Sequence, residues 1–208
     1  MTAIKKSCAL TLMGLVCSVI LAAAGPRASY IGQDAKADEL TYNLDPVHCM
    51  ANFRVQHMKA GMFWGRFNEL TGTMSTSEDA TAAPSFDITV AVDSVDTGTE
   101  KLDRTLMGPN FFDAKEFETI RFKSTSATPN GDGKWIVTGD LTLLGKKKTV
   151  QAEVELTGLN GNTVMKKIGY EAILAIKRSD FGMDWGIKNG ALGDEVKLVV
   201  AVEGDWSV

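Results

Sequence analysis

Few side chains in this chain could do chemistry. They are His48, His57, Cys49 and Arg178, with Asp103, Asp180 and Asp194 in loops that could reach the arginine. His48-Cys49 sets an imidazole next to a thiol, but neighbours along a strand point to opposite faces, so the pair does not assemble a nucleophile with its base. His48 also has the opposite parity to His57, and the two would meet only across a bulge. Two histidines, one thiol and no clear carboxylate set do not make a zinc site. There is no Gly-x-Ser-x-Gly elbow, no glycine-rich phosphate loop and no His-Glu-x-x-His. We therefore expect no catalytic residue, no metal and no cofactor. Parity turns His57 and Arg178 inward, and with Asp180 they form a candidate polar mouth. A buried arginine left unpaired is costly. Arg178 would either pair with a carboxylate such as Asp180 and close one end of the fold, or offer its planar fork to a phosphate or quinone head group.

The elements that must position these groups are strands. Val150, Ala152, Val154 and Leu156 alternate with Thr149, Gln151, Glu153 and Glu155, one dry face and one wet. Trp135, Val137, Gly139, Leu141 and Leu143 form the facing run, and Gly145-Lys146-Lys147-Lys148 reads as the link between the two. The same period marks 51–57, 63–67 running on towards Met74, 86–92, 120–124, 170–178 and 196–206, and a short stretch of strand at 40–44, broken at Asp45-Pro46, leads into the first of them. Between Thr97 and Phe117 the period changes: Leu102, Leu106 and Phe112 fit a helical face, capped by Thr97 or Thr99 and ended at Gly108-Pro109. Turns are expected at Asn130-Gly131-Asp132-Gly133 and Asn160-Gly161-Asn162. This is an all-β chain: eight antiparallel strands closed into a barrel, with a short helical insert between the third and fourth. A two-sheet sandwich is the competitor. Gly65, Gly139 and Gly204 among large inward aromatics favour a barrel with a lumen.

The charge of −4, with 26 acidic against 22 basic residues, argues against a nucleic-acid partner. The one dense basic run, Lys146–Lys148, falls in an expected turn. Lys5 and Lys6 precede an uncharged run from Cys8 to Ala24 that ends in three alanines, the layout of a secretory signal. We expect residues 1–24 to be a signal peptide cleaved near Ala24, with a second small-residue site at Ala37. Residues 25–39 would be a flexible leader and 40–208 the folded domain, located in the periplasm. Cys8 and Cys17 leave with the signal, so Cys49 has no partner for an internal disulfide.

The chain resembles a known family in a series of motifs. Tyr42-Asn-Leu44-Asp45-Pro-Val-His48 with Phe53-Arg-Val55-Gln-His57 is similar to the opening of the YceI-like family of periplasmic lipid-binding proteins. Ser94-Val95-Asp96-Thr97-Gly98, Asn110-Phe111-Phe112-Asp113 and Phe122-Lys-Ser124-Thr125 follow in the family's order. Gly139-Asp140-Leu141-Thr142-Leu143-Leu-Gly145, Arg178-Ser179-Asp180-Phe181-Gly182-Met183 and Gly193-Asp194-Glu195-Val196 complete the series. Cys49 stands where serine is usual and Glu118 where proline is frequent. The resemblance implies a lipocalin-like barrel whose lumen holds a long isoprenoid chain, as in a polyprenyl phosphate or a ubiquinone. The expected function is that of a binding or carrier protein, with no catalysis. The expected lumen wall is Phe53, Val55, Phe67, Phe86, Ile88, Val90, Phe122, Trp135, Leu141, Val154, Leu174, Ile176, Leu198 and Val200. Each buried methylene contributes about 0.8 kcal/mol, so such a wall can hold a long chain unaided. The partner is then an isoprenoid lipid, and transient contact with a membrane or a membrane protein suits such a carrier. Two other functions stay open: an accessory scaffold for a membrane redox partner, and a hydrolytic enzyme using Cys49. Export is tested by N-terminal sequencing of the mature protein. The expected start is near Gly25 in a soluble fraction, and a chain starting at Met1 in the membrane fraction would contradict it.

Overall fold

The structure is a computed structural model that describes residues 39–161 and 166–206. The expected signal over 1–24 and the leader up to residue 38 lie outside the described residues. The strands are β1 (Glu39–Leu44), β2 (Met50–His57), β3 (Gly61–Phe67), β4 (Leu70–Ser77), β5 (Ser85–Ala91), β6 (Val95–Asp96), β7 (Thr119–Pro129), β8 (Lys134–Leu143), β9 (Lys146–Gly161), β10 (Lys166–Lys177) and β11 (Leu192–Trp206). The helix α1 (Glu100–Leu106) lies between β6 and β7.

All pairings are antiparallel, and the order β1-β4-β5-β7-β8-β9-β10-β11 closes on itself through β1 and β11. The remaining strands prolong three positions of this eight-stranded ring. β11 is long enough to pair with β1 at Gly204–Trp206 and with β2 at Leu192–Ala201, so β1 and β2 occupy one position broken at Asp45-Pro46. β3 and β4 share the next position, and β5 and β6 the third. Proline lacks a ladder donor, which suits it to such a break. The helical insert therefore lies between the third and fourth positions, as the change of period implies.

Alternation explains which faces are dry. In β8 burial alternates through all ten residues, with Trp135, Val137, Gly139, Leu141 and Leu143 inside. Its turn is tighter than the sequence suggests. Leu144 and Gly145 both adopt positive φ, 50° and 67°, and Leu143 pairs directly with Lys146. Two left-handed residues make a two-residue hairpin that follows the strand twist, so Lys146–Lys148 belong to β9 and not to a loop. At the next hairpin Asn160 and Gly161, expected in a turn, belong to β9 and pair with Lys167 and Lys166, and residues 162–165 lie outside the described residues.

The inward glycines do a different job from the one expected. A Cβ on Gly65 would lie 2.3 Å from Phe53 Cζ, and one on Gly139 2.5 Å from Phe122 Cζ. At Gly204 the space belongs to Met74, whose Cε would be 2.5 Å away. These glycines seat neighbouring side chains against the wall and do not open the lumen.

Gly72 is under the tightest demand. Its φ is 132°, and a Cβ there would sit 2.0 Å from the carbonyl oxygen of Asp87 on the neighbouring strand. Backbone cannot swing aside as a ring can. Gly72→Ala is expected to cost about 3 kcal/mol or more, lowering Tm by roughly 6–12 °C. Gly61→Ala, which meets nothing within 4 Å, is expected to stay within about 0.5 kcal/mol of the parent. Thermal melting of the two variants side by side is the check.

Candidate functional site

The barrel has one tight end and one splayed end. At the tight end Tyr42, Met74, Val137, Ile168 and Tyr170 are almost fully buried. Tyr170 stands edge-on to Phe86 at 5.4 Å and to Trp135 at 6.1 Å, and burial pushes its phenol up to about 12. At the other end β6 pairs with β3 alone, and β7 begins only at Thr119. The gap beside β6 is covered by α1 and the turns that follow it.

Between the two ends lie two chambers. The narrow one, about 130 Å³, is bordered by residues such as Phe86, Ile88, Val137, Ala152, Val154 and Ala172, and Tyr170 is the only lining side chain with a polar atom. The wide one, about 590 Å³, lies under α1 and opens at the splayed end. Phe53, Phe67, Ile120, Leu141 and Leu198 border both chambers and form the waist between them. Phe53, Phe67 and Phe112 make an aromatic collar there, with ring centroids 5.1–6.3 Å apart. Ligand sites typically span about 300–1,000 Å³, and an apolar void near 150 Å³ stays dry and accepts a small hydrocarbon. The arrangement suits a long apolar chain with a bulkier end.

Of the fourteen residues expected to wall a lumen, thirteen border these chambers. Trp135 does not: it is buried beyond the narrow chamber, in the core around Tyr170. Its parity is inward, but it sits at the start of β8, where the barrel is already filled.

The expected wall left out strand residues such as Val137, Ala152, Tyr170 and Leu143, and it missed the irregular segments altogether. Leu102, Thr105 and Leu106 of α1, Asn110, Phe111 and Phe112 after it, and Met183, Trp185 and Ala191 after β10 all border the wide chamber. The pair Leu102/Leu106 was legible as an apolar helical stripe, but what it covers was not. The segment 181–191 has no period to read. Thr99 is the residue before α1, without a side-chain cap. Instead Asp103 reaches back and accepts from the N–H and Oγ1 of Thr97 at 2.8 and 2.6 Å, which pins the helix over the gap.

Arg178 is inward, only 3% exposed and borders the wide chamber, but its hydrogen bonds go neither to a carboxylate nor into the cavity. Its Nε donates to the Gly193 carbonyl at 2.7 Å, Nη1 to Met183 at 2.9 Å, and Nη2 to Trp185 at 2.8 Å and, more weakly, Leu192 at 3.5 Å. Asp180 is exposed and borders neither chamber. Asp194 accepts from the N–H and Oγ of Ser179 at 3.0 and 2.9 Å and acts on Arg178 only through space. Burial pushes the guanidinium down, with Asp194 and Asp184 opposing. The ion pair expected with Asp180 is therefore absent: Arg178 staples the 178–193 connection through main-chain oxygens. His57 lies on the rim of the wide chamber and is exposed, being the last residue of β2.

His48 and Cys49 do not meet. The thiol is buried against Glu203, with 3.3 Å contacts to its carbonyl and its N–H, and burial pushes its pKa up. His48 turns outward, its Nδ1 2.9 Å from Asp45, whose hydrogen bond raises the imidazole. The structure thus gives His48 two carboxylate neighbours that the sequence did not reveal, Asp45 and Glu203. Hydrogen bonds from His48, the Val47 N–H and Lys167 hold Asp45 well below the usual carboxylate range. Lys167 bridges Asp45, Glu203 and Asp205 at 3.0, 2.8 and 2.9 Å, so the cluster already holds its counter-charge.

With this geometry in view, the YceI-like domain family matches residues 42–204. The chain belongs to the YceI-like family. It is 33% identical over 201 residues to the protein named YceI from Escherichia coli O157:H7, covering 96% of this chain and 97% of that one. The crystal structure of BcnA from Burkholderia cenocepacia is similar with a TM-score of 0.68 at 27% identity, over 77% of this chain and 98% of that one. A polyisoprenoid-binding domain from Saccharophagus degradans, implicated in plant cell wall breakdown, shares the fold with a TM-score of 0.64 at 17% identity, over 81% and 99%. In this YceI-like chain the two motifs Arg178–Met183 and Gly193–Val196 meet as one lock, through Arg178 on Gly193 and Ser179 on Asp194.

Arg178→Lys tests the lock. An ammonium cannot reproduce the fork, and each orphaned carbonyl costs about 1–3 kcal/mol. Tm is expected to fall by roughly 5–10 °C, while the ratio of affinities for a polyprenyl phosphate and its uncharged alcohol stays unchanged. An unchanged Tm with selective loss of the phosphate would instead make Arg178 a head-group clamp.

Proposed function

We propose that this chain is an exported, periplasmic carrier that holds one long-chain isoprenoid lipid, of the polyprenyl phosphate or ubiquinone type, in its two chambers. The observation that carries the reading is the apolar two-chamber lumen in a YceI-like barrel. The polyisoprenoid-binding domain of the same fold supports it. The tail enters first. The narrow chamber offers almost nothing but hydrocarbon, with the Tyr170 hydroxyl as its only polar lining group, and has nothing to replace the hydration of a quinone carbonyl or a phosphate. The head stays in the wide chamber, where His57, Thr105 and Asn110 border the space. A quinone or alcohol can use these hydrogen-bonding groups, whereas a phosphate lies at the open rim, in water. Cys49 is buried away from the path and His48 turns outward, which supports binding over turnover by these two residues.

Leu174 borders the narrow chamber. Leu174→Trp is expected to occupy the space of about four methylenes of ligand. At about 0.8 kcal/mol each, affinity falls by roughly two orders of magnitude. Organic extraction and mass spectrometry of the purified proteins are the check, with circular dichroism to show a folded barrel. A long isoprenoid in the parent and its loss from the folded variant supports the carrier. A parent free of lipid would favour the scaffold reading, and equal lipid in both proteins would contradict the proposed seat.

A further inference from the structure

The rim of the wide chamber continues onto an outer surface with unusual composition. From Pro46 to Asn68 the chain has no aspartate or glutamate, although the whole sequence is acidic. The same stretch carries Arg54, Lys59 and Arg66 and forms the β2–β3 hairpin. Met62 and Trp64, two residues apart on β3, both project from its outer face and remain 52% and 49% exposed. Met58, at the hairpin tip, is more exposed still and also borders the wide chamber. Trp185, exposed on the facing loop, borders the same opening and packs against Phe111 at 5.4 Å.

The charges are placed around this apolar strip. The Arg54 guanidinium lies over the Trp64 ring, 5.6 Å from its centre, and Lys197 is its register partner on β11. Lys59 lies across Gly190 at the tip. Among the carboxylates around it, Asp96 is held by Arg66 at 2.8 Å, Glu195 pairs in register with Lys177, and Asp194 accepts from Ser179, which leaves Asp184 beside Trp185. Exposed tryptophan and methionine ringed by cations, beside the opening of a dry lumen, is the composition of an interfacial anchor.

We infer that the β2–β3 hairpin docks this protein onto the surface of an anionic phospholipid bilayer, with Met58, Met62 and Trp64 entering the head-group layer. The inference rests on the binding reading above: docking there sets the mouth of the wide chamber against the membrane, where a long isoprenoid resides. The lipid tail can then pass between bilayer and barrel without crossing water. The attraction comes from Arg54, Lys59 and Lys197 and weakens with salt.

The test is flotation of the purified full chain with vesicles of phosphatidylcholine alone, or with about a third of the lipid as phosphatidylglycerol. The protein is expected to float with the anionic vesicles and to be released by salt. Met62→Glu combined with Trp64→Glu, and separately Lys59→Glu, are expected to reduce the bound fraction roughly tenfold and severalfold. Both changes are on an exposed face, so the variants should keep the parent's melting temperature and its bound isoprenoid. Retention of lipid with loss of flotation separates this inference from the carrier reading. Absence of parental flotation, or flotation unchanged in both variants, overturns it. So does a dependence that moves to Lys134→Glu at the tight end of the barrel.

Discussion

The constraint on which the rest depends is that the sheet is closed by hydrogen bonds at one end and cannot be at the other. β7 starts at Thr119, opposite Ala91, and never reaches β6. The ring of eight is complete where β1 meets β4 and β11, but past Ala91 the third and fourth positions part. An open seam in a barrel leaves unpaired backbone and exposes apolar wall. Here α1 and the turns after it cover it, with Leu106 and Phe111 packing into the lower core. A seam covered by side chains is looser than one closed by a ladder, and the 590 Å³ chamber lies directly beneath it. The narrow chamber is what remains where the ladder does close.

The same constraint explains the roles of the charged residues. The connection from β10 to β11 must bend over the open end with irregular backbone whose carbonyls need donors. Arg178 supplies them from inside, and Gly182, with φ 86°, makes the left-handed turn after Phe181 that brings Met183 back within reach. A lysine has too few fixed donors for this task. At the opposite end the chain breaks between β1 and β2, and Lys167 gathers Asp45, Glu203 and Asp205 around that break. Both ends are held by cations with structural partners. The lumen between them carries almost no polarity, which is what a long hydrocarbon requires.

Much of this was legible from parity. Strands that alternate cleanly, such as Trp135–Leu143 and Val150–Leu156, declared their inner faces, and Leu141 and Val154 drawn from them border the chambers. Parity fails where filling, not direction, decides: Trp135 points inward but into a part of the barrel already occupied by Tyr170. It fails also for glycine, whose missing side chain reads as empty space in a sequence but is taken by Phe53, Phe122 or Met74 in the fold. Direction alone placed Arg178 inside and left its partners open, because main-chain carbonyls carry no residue identity. More than a third of the residues around the wide chamber come from 100–112 and 181–191, where no strand period exists. The outer strip at Met62 and Trp64 has the parity of a solvent face, and only its exposure in the fold marks it as a surface.

The central claim is that the two chambers form one path for a single chain. A crystal structure of the protein purified with its native lipid tests this most directly. The account predicts continuous density running from beside Leu174 and Val154, through the collar of Phe53 and Phe67, to the wide chamber near Asn110. Density confined to the outer surface, or a waist closed by side chains with both chambers empty of lipid, would contradict it.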